Sequence, residues 1–393
     1  MPVADKMRVF AEKSSWIRKM FEQGAAMKAQ YGADKVYDFS IGNPDAPPPP
    51  KFTSVIEKIV QKEDPGVHGY MPNAGYPWVR EALAQRMSRE QEVQLDKDDI
   101  LMACGAAGGL NVVMKAILNP GDEVIILAPY FVEYGFYIDN HGGIAKVVQT
   151  DEDCNLDLEA IEKAIGKRTR AIFINSPNNP SGQIYPAETL KELGRCLDKA
   201  QKQYKTKIYL VSDEPYRKIV FDNHTVPSIF NSYLNSIVVS SYSKDLSLPG
   251  ERIGYLAVHP EMEQKQQLLD ALVLATRILG FLNAPALMQR VVAELQNETV
   301  DKAWYADKKE RICPMLRKAG LEFQEPKGGF YVFPKTPIED DVQFTALLQQ
   351  EKILVVPGSG FGRPGYIRVA FCVPIQTIKD SEESWLRATG PLL

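Results

Sequence analysis

At 393 residues, with 45% hydrophobic and 24% charged side chains, the chain has the size and balance of a globular protein of two or three domains. A formal net charge of −4 supplies no bulk basic field, which argues against nucleic acid or an anionic membrane as partner. The cysteines and histidines are scattered without metal or disulfide spacing, and neither a leader nor an apolar run long enough for a membrane span is predicted, so the expectation is a cytoplasmic protein without a metal.

Residues 1–30 read as helical and amphipathic, with Trp16, Ile17, Met20 and Phe21 on one side. The stretch VYDFSIGNPD over 36–45 then runs into four prolines at 47–50, which suit neither a helix nor a central strand. This predicts a stiff crossover from an N-terminal arm into the main body. A plain linker explains the prolines but not Ile41-Gly42, whose backbone is open to close approach by a ligand. A helix is expected over 51–63, and a Gly- and Pro-rich loop starting at 68 feeds another helix. Tyr70 lies in that loop, and by spacing alone it reads as a packing residue.

From about residue 97 strands alternate with helices, which implies a parallel sheet covered on both faces. The run ILMACGAAGGLNVVMKAIL (100–118) is a strand, a turn built of Gly105, Ala106, Ala107, Gly108 and Gly109, and a helix. Bare amides at a helix start attract anions. Small residues there serve close helix–sheet packing equally well, and the sequence leaves both open. The run matches neither the nucleotide P-loop nor the dinucleotide fingerprint. Further strands end in Pro129 and three aromatics, in Asn178-Asn179, and in Asp213, Glu214 and Tyr216. The next, Ile237-Val238-Val239, ends in Ser240, Ser241, Tyr242, Ser243 and Lys244, with Arg252 eight residues beyond the lysine. A lone lysine is ordinarily a solvated surface group. Here the unusual residue of each strand falls at its carboxyl end, where open α/β sheets bind ligands. Phe131, Asn179, Asp213, Tyr216 and Lys244 are therefore expected to converge on one crevice beside the glycine turn. Beyond 283 the composition turns α+β, with helices through 284–318, two strands over 321–336 and two more over 353–374, the last carrying Arg368.

A lysine that forms an imine, a carboxylate at a neighbouring strand end, amide and phenol donors, an aromatic plate and a cationic, glycine-rich anion site make a specific set. They match the aldehyde, pyridine nitrogen, phenolic oxygen and phosphate of pyridoxal 5′-phosphate. A metal site lacks ligands, and a Ser–His–Asp triad lacks its G-x-S-x-G turn.

Four motifs carry a resemblance over about 36–372: S-x-S-K then G-x-R-x-G-Y (241–255), N-x-P-N-N-P-S-G (175–182), S-D-E-x-Y (212–216) and Y-I-R-V (366–369). In this order they resemble the class I/II, fold-type-I aminotransferases of the aspartate aminotransferase superfamily. The resemblance implies an α/β fold with a large domain built on a mainly parallel sheet and a smaller α+β domain. It divides the chain into an arm and part of the small domain (1–50), a cofactor domain (51–283) and a small domain (284–393). It implies that Lys244 carries the cofactor and moves the α-proton, that Asp213 keeps the pyridine nitrogen protonated, and that Asn179 and Tyr216 donate to the phenolic oxygen. Phe131 covers the ring, while Gly105, Ala106, Ala107, Ser241, Ser243 and Arg252 hold the phosphate. Tyr70 reaches that phosphate from a second subunit, which implies a homodimer with shared active sites. Arg368 grips the substrate α-carboxylate in bidentate fashion, with Gly42 and Asn179 beside it. Arg277, and less so Arg18, resembles the basic residue that meets a distal carboxylate; a solvated helix arginine is the competing reading.

Two departures stand out. Serine replaces the usual threonine in the asparagine motif, and alanines at 106 and 107 replace hydroxyl residues, leaving more of the phosphate to backbone amides. The expected activity is ping-pong transfer of an amino group from an L-amino acid, with aspartate or another dicarboxylate as donor, to a 2-oxo acid. Two other readings share the scaffold: a C–S β-lyase or cyclopropane-forming synthase, and a non-catalytic regulator behind a winged helix, for which the stretch before residue 36 is too short.

Overall fold

The computed structural model describes residues 2–13, 16–62 and 65–392. The side chains of 12–21 lie outside the described residues, and with them the expected stripe of Trp16, Ile17, Met20 and Phe21 and the candidate Arg18; residue 63, the expected helix end, lies outside them too. The chain forms two compact units. One comprises Met1–Asn43, Tyr305–Pro326 and Phe330–Leu393, and the other Pro44–Trp304 with Lys327–Gly329.

Strand β1 (Tyr37–Asp38) lies in the first unit. Strands β2 (Ile100–Ala103), β3 (Glu123–Ala128), β4 (Ile144–Gln149), β5 (Thr169–Asn175), β6 (Tyr209–Asp213), β7 (Ser236–Ser241) and β8 (Gly254–Val258) build the second. Strands β9 (Tyr331–Val332), β10 (Ile353–Leu354), β11 (Val356–Pro357) and β12 (Ile367–Ala370) return to the first.

The seven strands of the second unit form one sheet in the order β2-β8-β7-β6-β5-β3-β4. Neighbours pair in parallel except at β8, which runs antiparallel to both β2 and β7. The sequence reading did not separate β8 from the motif it belongs to, and it missed β4, where only Val148 is buried and half of the residues are exposed. In β6 and β7 every residue is buried, as expected of strands covered on both faces. Alternate residues serve opposite cores: Leu210 and Val238 join one, while Tyr209, Val211, Ile237 and Val239 join the other, with the helix Gly105–Ile117. By the same alternation Asp213, Asn175 and Ser241 project toward the face that this helix covers.

Helix Ala286–Ala293 belongs to the second unit, whereas the sequence set everything after 283 in the small domain. Its Met288, Val291 and Val292 are buried in the same core as Val79, Leu83 and Tyr242, which fixes it there.

In the first unit β1 pairs in parallel with β10, and β11-β12-β9 form a small antiparallel sheet. The two strands expected over 321–336 reduce to Tyr331–Val332. Proline ends the run on either side at 326 and 334, and Gly328 is drawn into a bridge with Val220 instead. Three short strands, not two, occupy 353–374.

Candidate active site

Strands β5 and β6 end level, and the adjacent β7 runs two residues further, to Ser241. Asn175, the last residue of β5, is in register with Asp213, the last of β6, and Asp213 with Val239 of β7. Asn175 ties the ends together: its Nδ2 donates to the Asp213 carbonyl at 2.8 Å, and its Oδ1 accepts from the Asn179 amide at 2.7 Å. The Asn178 carboxamide oxygen in turn accepts from the Ser181 amide and hydroxyl, so the NPNNPSG turn is pinned by its own side chains. Tyr216 is buried in the turn that leaves β6.

Asp213 is 7% exposed. Its Oδ2 accepts from the Tyr134 hydroxyl at 2.6 Å, while Oδ1 is buried with no hydrogen-bond partner among the described residues. Burial pushes the carboxyl up to about 7; the Tyr134 bond pulls against this and the neighbouring Glu214 charge adds to it. Tyr134 is itself locked edge-on between Phe131, at 5.6 Å, and Phe173, at 5.2 Å. Phe131 thus stands beside the Asp213 partner, half-buried.

The helix Gly105–Ile117 starts directly at the end of β2, and its N-cap residue Cys104 supplies no side-chain cap. The first-turn amides of Gly105, Ala106 and Ala107 are donors that the helix itself leaves over. Gly105 takes φ +71°, and a Cβ there would stand 2.8 Å from Arg252 Nη2, so glycine is what lets the guanidinium reach the helix start. Gly254 is required nearby, since its Cβ would stand 2.6 Å from the Ser240 carbonyl and 2.8 Å from the Gly105 backbone. It is paired across β7–β8 with Ser241. Amides, two serines and Arg252 therefore gather at one end of the sheet. Lys244 follows Ser243, half-buried, in the turn after β7.

Behind these groups lies a buried layer of charge that sequence reasoning missed. Glu214, next to Asp213, accepts from Arg217 at 2.9 Å, from Ser212 at 2.9 Å and from Gln91 at 3.2 Å. Asp245, next to Lys244, is paired with Lys218 at 3.7 Å, and its carbonyl accepts from the Val300 amide at 2.7 Å. Burial pushes both carboxyls up, against the pull of Arg217 on one and of Lys218 and Arg86 on the other. Asp213 and Lys244 are thus each followed directly in the chain by a buried, ion-paired carboxylate that anchors the backbone there. The signal was present in the S-D-E and S-K-D triplets, but adjacent charges on a strand end do not reveal which one is paired.

Of the other candidates, Tyr70 and Arg277 belong to the same unit and Arg368 and Gly42 to the other. Tyr70 is 89% exposed, and Arg277 is exposed in the last turn of the helix Lys265–Ile278. In the first unit Arg368 is 2% exposed, donates to the Ser40 carbonyl at 2.6 Å and lies over the Tyr331 and Phe361 rings at 4.7 and 4.9 Å. Gly42 is glycine there because a Cβ would collide with the Tyr331 hydroxyl.

The residues fit pyridoxal 5′-phosphate on two observations of this structure. Asp213 Oδ1 is a buried acceptor that a ring N–H would satisfy, and buried acceptors are rarely left unmet. The first-turn amides with Arg252 form a cationic cradle that suits a phosphate dianion.

Comparison with known proteins gives a consistent result. The model of the family described as aminotransferase class I and II matches residues 34–380. The chain is 31% identical over 358 residues to a probable aspartate aminotransferase of Methanocaldococcus jannaschii, covering 88% of this chain and 91% of that protein. It is 30% identical over 373 residues to the aspartate aminotransferase of Thermotoga maritima, covering 93% and 94%. Among solved structures, an amino transferase from Eubacterium rectale superposes with a TM-score of 0.96 at 36% identity over 100% of this chain and 99% of that one. The aspartate aminotransferase of Thermus thermophilus with maleate gives 0.87 at 27% identity over 99% and 100%.

Proposed function

The chain belongs to the class I and II aminotransferases, a pyridoxal 5′-phosphate-dependent family, and from that premise we propose that it moves the amino group of L-aspartate to a 2-oxo acid by a two-stage, ping-pong route. The observation that carries this reading is the buried, unmet Oδ1 of Asp213, in register with Asn175 of the strand that leads to Asn179 and with Val239 of the strand that leads to Lys244.

When bound, the cofactor supplies a protonated pyridine ring that takes up the electron pair left by the departing α-proton. Asp213 holds the proton on that ring nitrogen. Lys244 would serve as the base that takes the α-proton at its amine and as the acid that gives it back. Asn179 and Tyr216 donate to the phenolic oxygen, and Phe131 supplies the aromatic plate. Gly105, Ala106 and Ala107 give amides to the phosphate, Ser241 and Ser243 hydroxyls, and Arg252 charge. Arg368, whose guanidinium lies over the Tyr331 and Phe361 rings, takes the substrate α-carboxylate as a planar fork, and Gly42 and Asn179 are assigned to the same substrate. The two compact units would correspond to a larger cofactor-binding domain and a smaller one.

We further propose a homodimer in which Tyr70 serves the phosphate of the second copy. Its 89% exposure supports this, as do the exposed apolar side chains of Trp78, Leu274 and Ile278, which a monomer leaves in water. A cytoplasmic location is supported by five free cysteines, which suit a reducing compartment. Among the described residues no helix is long and apolar enough to cross a membrane.

Aspartate as donor rests on the aspartate aminotransferase relatives and on Arg277 as the partner of the distal carboxylate. The test is L-aspartate alone added to the cofactor-loaded protein. The visible band should bleach while one equivalent of 2-oxo acid appears per site. Ammonia release would instead signal elimination and overturn the reading. In Arg277→Ala the kcat/KM for aspartate should fall about 10- to 100-fold, with alanine unaffected. Equal losses for both donors would discard the dicarboxylate assignment.

A further inference from the structure

Tyr134 is a buried titratable group that this mechanism leaves unused, and it touches the residue on which the mechanism depends. Its hydroxyl is 2.6 Å from Asp213 Oδ2 in a buried contact. Its ring cannot swing away without giving up edge-on contacts to Phe131 and Phe173, at 82° and 89°. The Asp213 backbone is held as well, since the Asn175 carboxamide donates to its carbonyl, while the carboxylate itself takes its one hydrogen bond among the described residues from Tyr134. One carboxylate oxygen is thus engaged by a rigid phenol and the other is buried and unmet.

Resting on the cofactor assignment above, we propose that Tyr134 is a positioning residue for Asp213. Its O–H orients the carboxylate and keeps it ionised, so that Oδ1 is ready to accept from the pyridine nitrogen. Burial works against that task, and few groups near Asp213 help. Tyr134 and Tyr137 come from the helix Tyr134–Asp139, Asn175 from β5, and Glu214 from the exit of β6. Glu214 repels the charge, Asn175 reaches only the backbone, and Tyr137 makes no hydrogen bond to the carboxylate. The hydrogen bond from Tyr134 is what favours the ionised form. The role differs from chemistry on the substrate: Tyr134 acts through Asp213.

Affinity for pyridoxal 5′-phosphate, measured against pH with the cofactor-free protein, separates this role from packing. Affinity should fall on the acid side as Asp213 takes up a proton. In Tyr134→Phe, which keeps the ring, the acid limb should move up by about one pH unit, making binding about tenfold weaker near neutrality. Tyr137→Phe should leave the limb in place. Replacing Tyr134 by 3,5-difluorotyrosine, a stronger donor of the same shape, should move the limb down; this arm decides the matter should the phenylalanine variant not fold. A limb that coincides with the wild type in either Tyr134 variant overturns the inference and leaves the cofactor assignment standing. A wild-type protein that does not bind pyridoxal 5′-phosphate overturns both.

Discussion

Lys244→Ala protein supplied with pyridoxal 5′-phosphate should show no visible band of protein-linked cofactor and should transaminate at least about 10³-fold more slowly than the wild type. Two losses combine. The cofactor is no longer held through its aldehyde, and no base remains to move the α-proton. A stray surface lysine could replace neither, because the position is set by β7. Its Val239 is in register with Asp213, and the turn that follows is tied down through the Asp245 carbonyl and the Lys218 ion pair. Truncation should spare the fold, since Lys244 is half-buried while its anchoring neighbours Ser243 and Asp245 stay in place. An absorption spectrum and a single-turnover reaction with L-aspartate check this. A band unchanged from the wild type would remove Lys244 from the mechanism.

Asp213→Asn should do opposite things to activity and to stability. An amide cannot hold the pyridine nitrogen protonated as a carboxylate does. An opposite charge at that distance is worth about 1–3 pKa units, so kcat/KM should drop by about 10- to 1,000-fold. Tyr134 can still donate to the amide oxygen, so the geometry should persist. In the cofactor-free protein the wild-type carboxylate is a liability. Its folded-state pKa of about 7 lies above the ordinary carboxylate value, so the folded state binds the proton more tightly than the unfolded state does. Stability is therefore fully present below about pH 4 and is lost as pH rises toward 7. At pH 8 the asparagine variant, with no charge to bury, should be more stable than the wild type by on the order of 3 kcal/mol, and the two should converge near pH 4. Urea unfolding of both proteins at the two pH values measures this. A wild type that is the more stable at pH 8 would contradict the buried, uncompensated carboxylate. A site that trades stability for function in this way is where local rules of protein design are expected to be broken.

The parts of the site legible in the sequence share one property: polar residues closing an apolar run. Asp213 after Tyr209–Ser212, and Lys244 after β7, stand out because a fully buried strand has no other reason to end in charge. Tyr134 was hidden for the converse reason. It sits among Pro129, Tyr130, Phe131 and Phe136, where one more aromatic reads as packing, and only the 2.6 Å contact with Asp213 distinguishes it. Asn175 was overshadowed by Asn179, although it is Asn175 that ties two strand ends together. In the fold, β8 escaped because its run lies inside the motif read for its arginine; it runs antiparallel to β7 after a connection over 242–253 that holds the short helical turn Pro249–Glu251 and no α-helix. Helix Ala286–Ala293 groups with the second unit although the composition changes before it: the helix is amphipathic like its successors, but its apolar face meets the large core. The first unit draws on three separated stretches of chain, a long-range grouping that local periodicity cannot express.

The most direct measurement is reduction of the cofactor-loaded protein with sodium borohydride, which fixes the reversible link between aldehyde and amine, followed by peptide mapping. A pyridoxyl label on Lys244, at one per chain, is the predicted result; a label on another lysine, or none at all, would contradict the assignment on which every role above depends.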